Sequence, residues 1–284
     1  MTNVTTDEQR DLFLRESGLP GAPAIVFLHG VGVNGAMWRH HMASLPDYHC
    51  LAPDLPGHGQ SRAIPWSSRQ DAAARVARII EALPDGRAHL VGLSLGGSVA
   101  LELIATRPEL LDRAVLDGCG VVGSRWAMPA KLAFAAMSPF VRFRVVGRLL
   151  AAALEIRDRV DVAEVVDQVR QVDPASFRRA FADAQDVRVS ASLLAARCPT
   201  LIVAGETEVA AMHRSSRLLA ERMPHAQARV MPGAGHGWAA RHPEVHVAMI
   251  RAWIEGRPLP AELVPEPGPD DRDGIRPARR ARPA

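Results

Sequence analysis

Residues 92–96 read Gly-Leu-Ser-Leu-Gly, a serine with a glycine two positions away on either side. The apolar run AHLVGL leads into it and the helix-spaced GSVALELI leads out, so Ser94 falls on a strand-to-helix turn. A bend that sharp crowds the positions flanking its centre, and glycine has no Cβ to collide. The strain projects the Ser94 hydroxyl above a sheet edge while the following amide, that of Leu95, faces the same space. A lone serine hydroxyl is a poor nucleophile. It needs a base to take its proton and a carboxylate to orient that base. The chemistry expected is attack on a carbonyl carbon, completed by groups from elsewhere in the chain.

The elements that must hold this turn follow from apolar patterning. AIVFLH (24–29) reads as a buried strand entering a loop, and YHCLAPD (48–54) as a second strand closed by a proline- and glycine-rich turn. QDAAARVARIIEAL (70–83) is a helix, and another runs from about Gly96 to Thr106, stopped before Pro108. RAVLDG (113–118) and TLIVAGE (200–206) are further strands, with a weaker one in ARVMPGAG (228–235). Strands alternating with helices imply an α/β fold with a mainly parallel sheet covered on both faces. Residues 123–192 interrupt the alternation and read as helical throughout, a cap inserted between two core strands. The core is expected in residues 1–122 and 193–256. Residues 257–284, proline-rich and acidic and then basic, are expected to be a disordered tail.

Four ordered segments carry a family resemblance: FLHGVGVNGAMW (27–38), DLPGHGQS (54–61), GLSLGG (92–97) and PGAGHGW (232–238). With CPTLIVAGE (198–206), they are similar to the α/β-hydrolase superfamily over residues 20–255. The nearest likeness is to capped carboxylesterases and lactonases, enol-lactone hydrolases among them. The resemblance implies Ser94 as nucleophile and His236 as base. It places an acid three residues after Gly205, where this chain has Glu208 rather than aspartate. Asp117, at the end of RAVLDG, offers a second route to the histidine. The oxyanion hole would use the backbone amides of Leu95 and Val31. His29 resembles the histidine that braces the oxyanion loop, and His58 and Asp54 read as structural. Trp38, Trp126, Met128, Phe134, Met137 and Phe140 are candidates for an apolar substrate lining, and Trp238 for support of the His236 loop. The implied reaction is hydrolysis of a carboxylic ester or lactone through an acyl-enzyme. Carbon–carbon bond hydrolysis, perhydrolysis or lyase chemistry on the same triad is the alternative, and a non-catalytic binder is a third.

Composition sets the remaining bounds. The 284 residues are 48% hydrophobic and 23% charged, ordinary for a globular chain. Net charge is +3, but Arg276, Arg279, Arg280 and Arg282 supply four of the positive charges, so the folded body is not basic. No nucleic-acid partner is expected. The polar start MTNVTTDEQRD does not read as a secretory leader, and the apolar AKLAFAAM carries Lys131 and falls short of the roughly 20 residues that span a bilayer. No membrane partner and a cytoplasmic location are therefore expected. Cys50, Cys119 and Cys198 form no paired motif and read as core residues in a reducing compartment. GLSLGG lacks the dinucleotide fingerprint and the histidines lack metal-ligand spacing, so neither cofactor nor metal is expected. The partner is a small-molecule substrate.

Overall fold

The computed structural model describes residues 12–123, 127–156 and 159–268. In chain order it comprises β1 (Leu14–Ser17), β2 (Ala24–Leu28), α1 (Arg39–Ala43), β3 (His49–Pro53), α2 (Arg69–Glu81), β4 (Ala88–Leu93), α3 (Leu95–Thr106) and β5 (Leu111–Asp117). Five helices follow: α4 (Ala127–Met137), α5 (Arg144–Ala153), α6 (Arg159–Arg170), α7 (Pro174–Ala184) and α8 (Ala191–Ala195). The chain then returns to β6 (Thr200–Gly205), α9 (Ala210–Arg222), β7 (Ala226–Met231), α10 (Trp238–Arg241), α11 (Pro243–Ile254) and β8 (Val264–Pro265).

The eight strands form one sheet in the order β1-β3-β2-β4-β5-β6-β7-β8. Neighbours from β3 to β7 run parallel, and β1 and β8 pair antiparallel at the two edges. Strand β2 is buried along its whole length, as a central parallel strand covered on both faces must be. The pleat sends alternate residues to opposite layers. Val26, Leu28, Leu90, Leu116 and Ile202 meet α2, α3 and α9 on one side. Ile25, Phe27, Val91, Val115, Leu201 and Val203 meet Trp38, Trp238 and α11 on the other. A third, smaller apolar cluster ties α5, α6 and α7 together around Val146, Val169 and Phe177. Helices α4–α8 all lie between β5 and β6, the stretch read as helical from sequence. Trp126 lies outside the described residues.

Two edge elements depart from the sequence reading. LRES has no apolar alternation, yet it forms β1, held by its register on β3. The expected disorder from residue 257 is corrected for 257–268. Leu263 is buried, and β8 pairs Val264 with Val230 and Pro265 with Arg229. Glu266 is sunk to 2% side-chain exposure between His213 and Arg217, with contacts of 3.1 and 3.0 Å. With the Leu263 side chain in the core and the β8 ladder, these contacts fix the chain through Glu266.

Candidate active site

Ser94 sits at φ 53°, ψ −108°, between the last residue of β4 and the first of α3. Such backbone geometry is strained for any residue with a side chain and persists only where its surroundings enforce it. Here the Ser94 amide donates to the Asp117 carbonyl at 2.8 Å, and its carbonyl accepts from Ser98 N–H at 3.0 Å. The flanking glycines are there for space. A Cβ on Gly92 would stand 2.5 Å from the Gly96 carbonyl oxygen, and one on Gly96 would stand 2.2 Å from that of Leu28. The serine thus crowns the carboxyl end of the sheet, where open α/β sheets hold their ligands.

The acid and the histidine arrive on two loops sewn to each other. Thr207 N–H donates to the Ala234 carbonyl at 2.9 Å, and Glu206 N–H to that of Met231 at 3.0 Å. Glu208 turns back on its own strand end, where its Oε1 accepts from Gly205 N–H at 3.1 Å. Its Oε2 lies 2.9 Å from His236 Nδ1. With Nδ1–H donating to Glu208, Nε2 is the ring nitrogen left to accept a proton. Burial opposes protonation of His236, but the adjacent Glu208 carboxylate prevails and raises its pKa above 6.5. The cap packs tightly on this loop: a Cβ on Gly237 would stand 1.8 Å from the Leu154 carbonyl oxygen.

Asp117, the other candidate acid, has different partners. Its Oδ1 accepts from Trp238 Nε1 at 2.9 Å, and its Oδ2 lies 3.4 Å from His246 Nε2. Full burial, reinforced by the charge of Glu208, pushes its pKa up to about 8. Burial also pushes His246 down to about 3. Burial thus favours the neutral form of both groups. Glu208 is then the negative charge closest to His236. Trp238 is fully buried in one cluster with Ala234 of the histidine loop, and its indole also holds Asp117 at the end of β5.

The supporting histidines are fixed by hydrogen bonds. His29 Nδ1–H donates to the Gly30 carbonyl at 2.8 Å and Nε2 accepts from Leu55 N–H at 2.9 Å, which assigns a neutral ring bracing two loops. Asp54 accepts from Gly35 N–H at 2.9 Å and Gln60 N–H at 2.8 Å and pairs with Arg15. His58 is fully buried beside His29, its ring tilted by 59° with centroids 5.0 Å apart. Cys50, Cys119 and Cys198 are buried free thiols. Among the described residues, no group of three His, Cys, Asp or Glu side chains could hold a metal ion.

Ser94 and His236 open onto one cavity of about 500 Å³. No hydrogen bond joins them among the described residues, an arrangement that substrate commonly tightens. Val31 lines the same cavity, and a Cβ on the preceding Gly30 would stand 3.7 Å from that of Ser94. Of the expected apolar lining, Phe134 is present, stacked 3.5 Å from Phe181, which also lines the cavity. Trp38 is not on the wall. It is fully buried in the core against Phe27, His41 and His246. Met137 packs within the cap cluster, while Met128 and Phe140 point to solvent at 62% and 55% exposure. Sequence reasoning missed Leu150, Met212 and Gln168, which do line the cavity, and the Arg39–Glu164 pair at its rim. Nothing in their local pattern marks them, because helix crossing decides which side of α5 or α6 faces inward.

Comparison with known proteins places this geometry. Residues 25–249 match the description "Alpha/beta hydrolase family". The chain is 29% identical to the pimeloyl-[acyl-carrier protein] methyl ester esterase of Aeromonas salmonicida, over 82% of this chain and 95% of that one. The fold resembles an enol-lactonase from Burkholderia xenovorans LB400 at a TM-score of 0.76 and 20% identity, covering 86% of this chain and 96% of the other. It also resembles a thermophilic esterase from Thermogutta terrifontis at a TM-score of 0.73 and 23% identity, covering 86% and 93%.

Proposed function

The chain belongs to the alpha/beta hydrolase family, and on that footing we propose that it is a serine hydrolase cleaving a carboxylic ester or lactone of a small to medium apolar substrate. The carrying observation is the strained Ser94 sharing a cavity with a His236 ring whose Nδ1 is engaged by Glu208. Ser94 Oγ attacks the carbonyl carbon while its proton passes to His236 Nε2. Charge gathers on the former carbonyl oxygen, and the backbone amides of Leu95 and Val31 receive it in this reading. Each such donor contributes about 2.7–4 kcal/mol to the transition state. His236 then returns the proton to the departing alkoxide, leaving an acyl group on Ser94. Water, activated by the same imidazole, releases the carboxylic acid and restores the serine.

Glu208 holds His236 in the Nδ1–H tautomer and stabilises the imidazolium formed at each proton transfer. The apolar part of the substrate lies against Phe134, Phe181, Leu150 and Met212. The match to a methyl ester esterase supports ester chemistry over the carbon–carbon alternative. Fluorophosphonate labelling with turnover of short p-nitrophenyl esters tests the proposal. A stoichiometric adduct on Ser94 is expected, and Ser94→Ala should abolish both adduct and turnover with unchanged circular dichroism. An adduct elsewhere, or turnover surviving the substitution, would remove Ser94 from the reaction.

A further inference from the structure

The outer face of the cap is built the wrong way round for water. On α4 the exposed positions are Met128, Pro129, Leu132, Ala133 and Ala136, spaced i, i+1, i+4, i+5, i+8 along one helical face. All are apolar, whereas a surface helix ordinarily turns its polar stripe outward. The same spacing on α5 exposes Arg144, Val145, Arg148, Leu149 and Ala152. Between the two helices Phe140 and Phe143 stack in the open, with ring centroids 6.0 Å apart and exposures of 55% and 60%. Leu132, Val145 and Leu149 are each about as exposed, at 64%, 59% and 59%. The cavity wall is on the opposite side of these helices, where Phe134 and Leu150 point inward.

The charges on this face have one sign. From Gly118 to Leu154 the sequence contains no Asp or Glu and five Lys or Arg residues. Arg142, Arg144 and Arg148 are exposed and make no ion pair among the described residues. The acids of the next helix are occupied elsewhere. Glu164 pairs with Arg39, Asp167 lies 3.9 Å from Arg170, and Asp161 lines the cavity.

We propose that the α4–α5 face of the cap docks on an anionic lipid surface, its leucine and phenylalanine side chains entering the headgroup boundary and its arginines meeting lipid phosphates. Exposed aromatics and aliphatics interleaved with exposed cations are what such a surface binds. A second copy of the chain fits poorly. A two-fold contact through this patch would bring the arginine cluster of one copy against that of the other, with no acid from Gly118 to Leu154 to intervene. No described helix is long and apolar enough to cross a membrane, and interfacial docking requires none. This proposal departs from the sequence expectation of no membrane partner. Docking would set the cavity wall about 10 Å, one helix diameter, from the lipid.

Flotation of the full chain with vesicles tests this. Wild type should rise with phosphatidylcholine–phosphatidylglycerol vesicles, stay behind with phosphatidylcholine alone, and be released by high salt. R142Q/R144Q/R148Q should lower the partition coefficient on the order of a hundredfold, since each basic residue near an anionic surface contributes about fivefold. Leu132→Asp with Phe143→Ser, removing the apolar half, should also release the protein. Both variants should keep the wild-type unfolding temperature, because the replaced side chains lie in solvent. Three results would overturn the proposal. The first is no binding of wild type to phosphatidylglycerol vesicles. The second is undiminished binding of both variants, which would place it on the C-terminal arginines common to all three proteins. The third is a solution dimer dissolved by Leu132→Asp, which would assign the face to a second copy.

Discussion

Replacing Glu208 by Gln isolates the contribution of one charge to the reaction. The carboxylate oxygen lies 2.9 Å from His236 Nδ1, and Glu208 is 3% exposed against 30% for the histidine side chain. At that separation and an effective dielectric near 20, a unit pair interacts by about 5–6 kcal/mol. The neutral imidazole of the resting enzyme feels little of this. The imidazolium of the transition state feels it in full, so the difference acts on kcat. Glutamine keeps a hydrogen-bonding oxygen, and solvent reaching the exposed part of the ring screens some of the attraction, so about a thousandfold loss of kcat is expected. A second signature accompanies it. His236 must be unprotonated to act as base, so activity falls as pH drops through its pKa. In wild type that limb lies above 6.5, because the carboxylate outweighs burial. In Glu208→Gln burial acts almost alone, and the limb moves to lower pH. The assay is p-nitrophenyl ester turnover across pH for Glu208→Gln and Asp117→Asn in parallel. A Glu208→Gln enzyme within tenfold of wild type and with its acid limb unmoved would refute the reasoning. So would a thousandfold loss in Asp117→Asn instead.

Asp117→Asn should also change stability in a pH-dependent way. The Asp117 carboxyl titrates near 3.8 when unfolded and about 8 when folded, so between those values the unfolded chain has lost a proton that the native one keeps. Wild-type stability therefore falls as pH rises through that window, by up to about 1.4 kcal/mol per pH unit, and the variant escapes this loss. Urea midpoints at pH 5 and pH 8 should show the variant gaining on wild type at the higher value, and equal gaps at both would contradict the buried neutral acid. Gly96→Ala should destabilise the protein by about 1–3 kcal/mol or more, because its methyl would meet the Leu28 carbonyl at 2.2 Å. Denaturant unfolding measures that cost, and a value near zero would mean that the turn yields.

Local demands on the backbone were visible in the chain, and long-range packing was not. Gly92 and Gly96 announce the turn because the collision they avoid lies within a few residues. The strand ends at Leu28, Leu93, Asp117 and Gly205 follow from apolar runs that parallel burial makes continuous. The family resemblance points to Glu208, three residues after Gly205, but its bond to His236 crosses from one loop to another. The cavity wall was least legible. Trp38 belongs to the same glycine-rich segment as Val31, yet its ring turns into the core while Val31 faces the cavity. Residue type cannot distinguish the two; only the path of the loop can. The placement of β8 was equally hidden, since its anchor is a contact between Glu266 and two side chains of α9 some fifty positions earlier.

That last strand has a consequence for how the molecule behaves in a crowd. Without it, β7 would present a free rim of N–H and C=O groups to any passing extended chain, the usual seed of edge-to-edge aggregation. Two residues of ladder and one sunken carboxylate cover the middle of that rim. Trimming the polypeptide at Gly256, where composition first suggests the globule stops, would leave the fold nearly whole and its border unguarded.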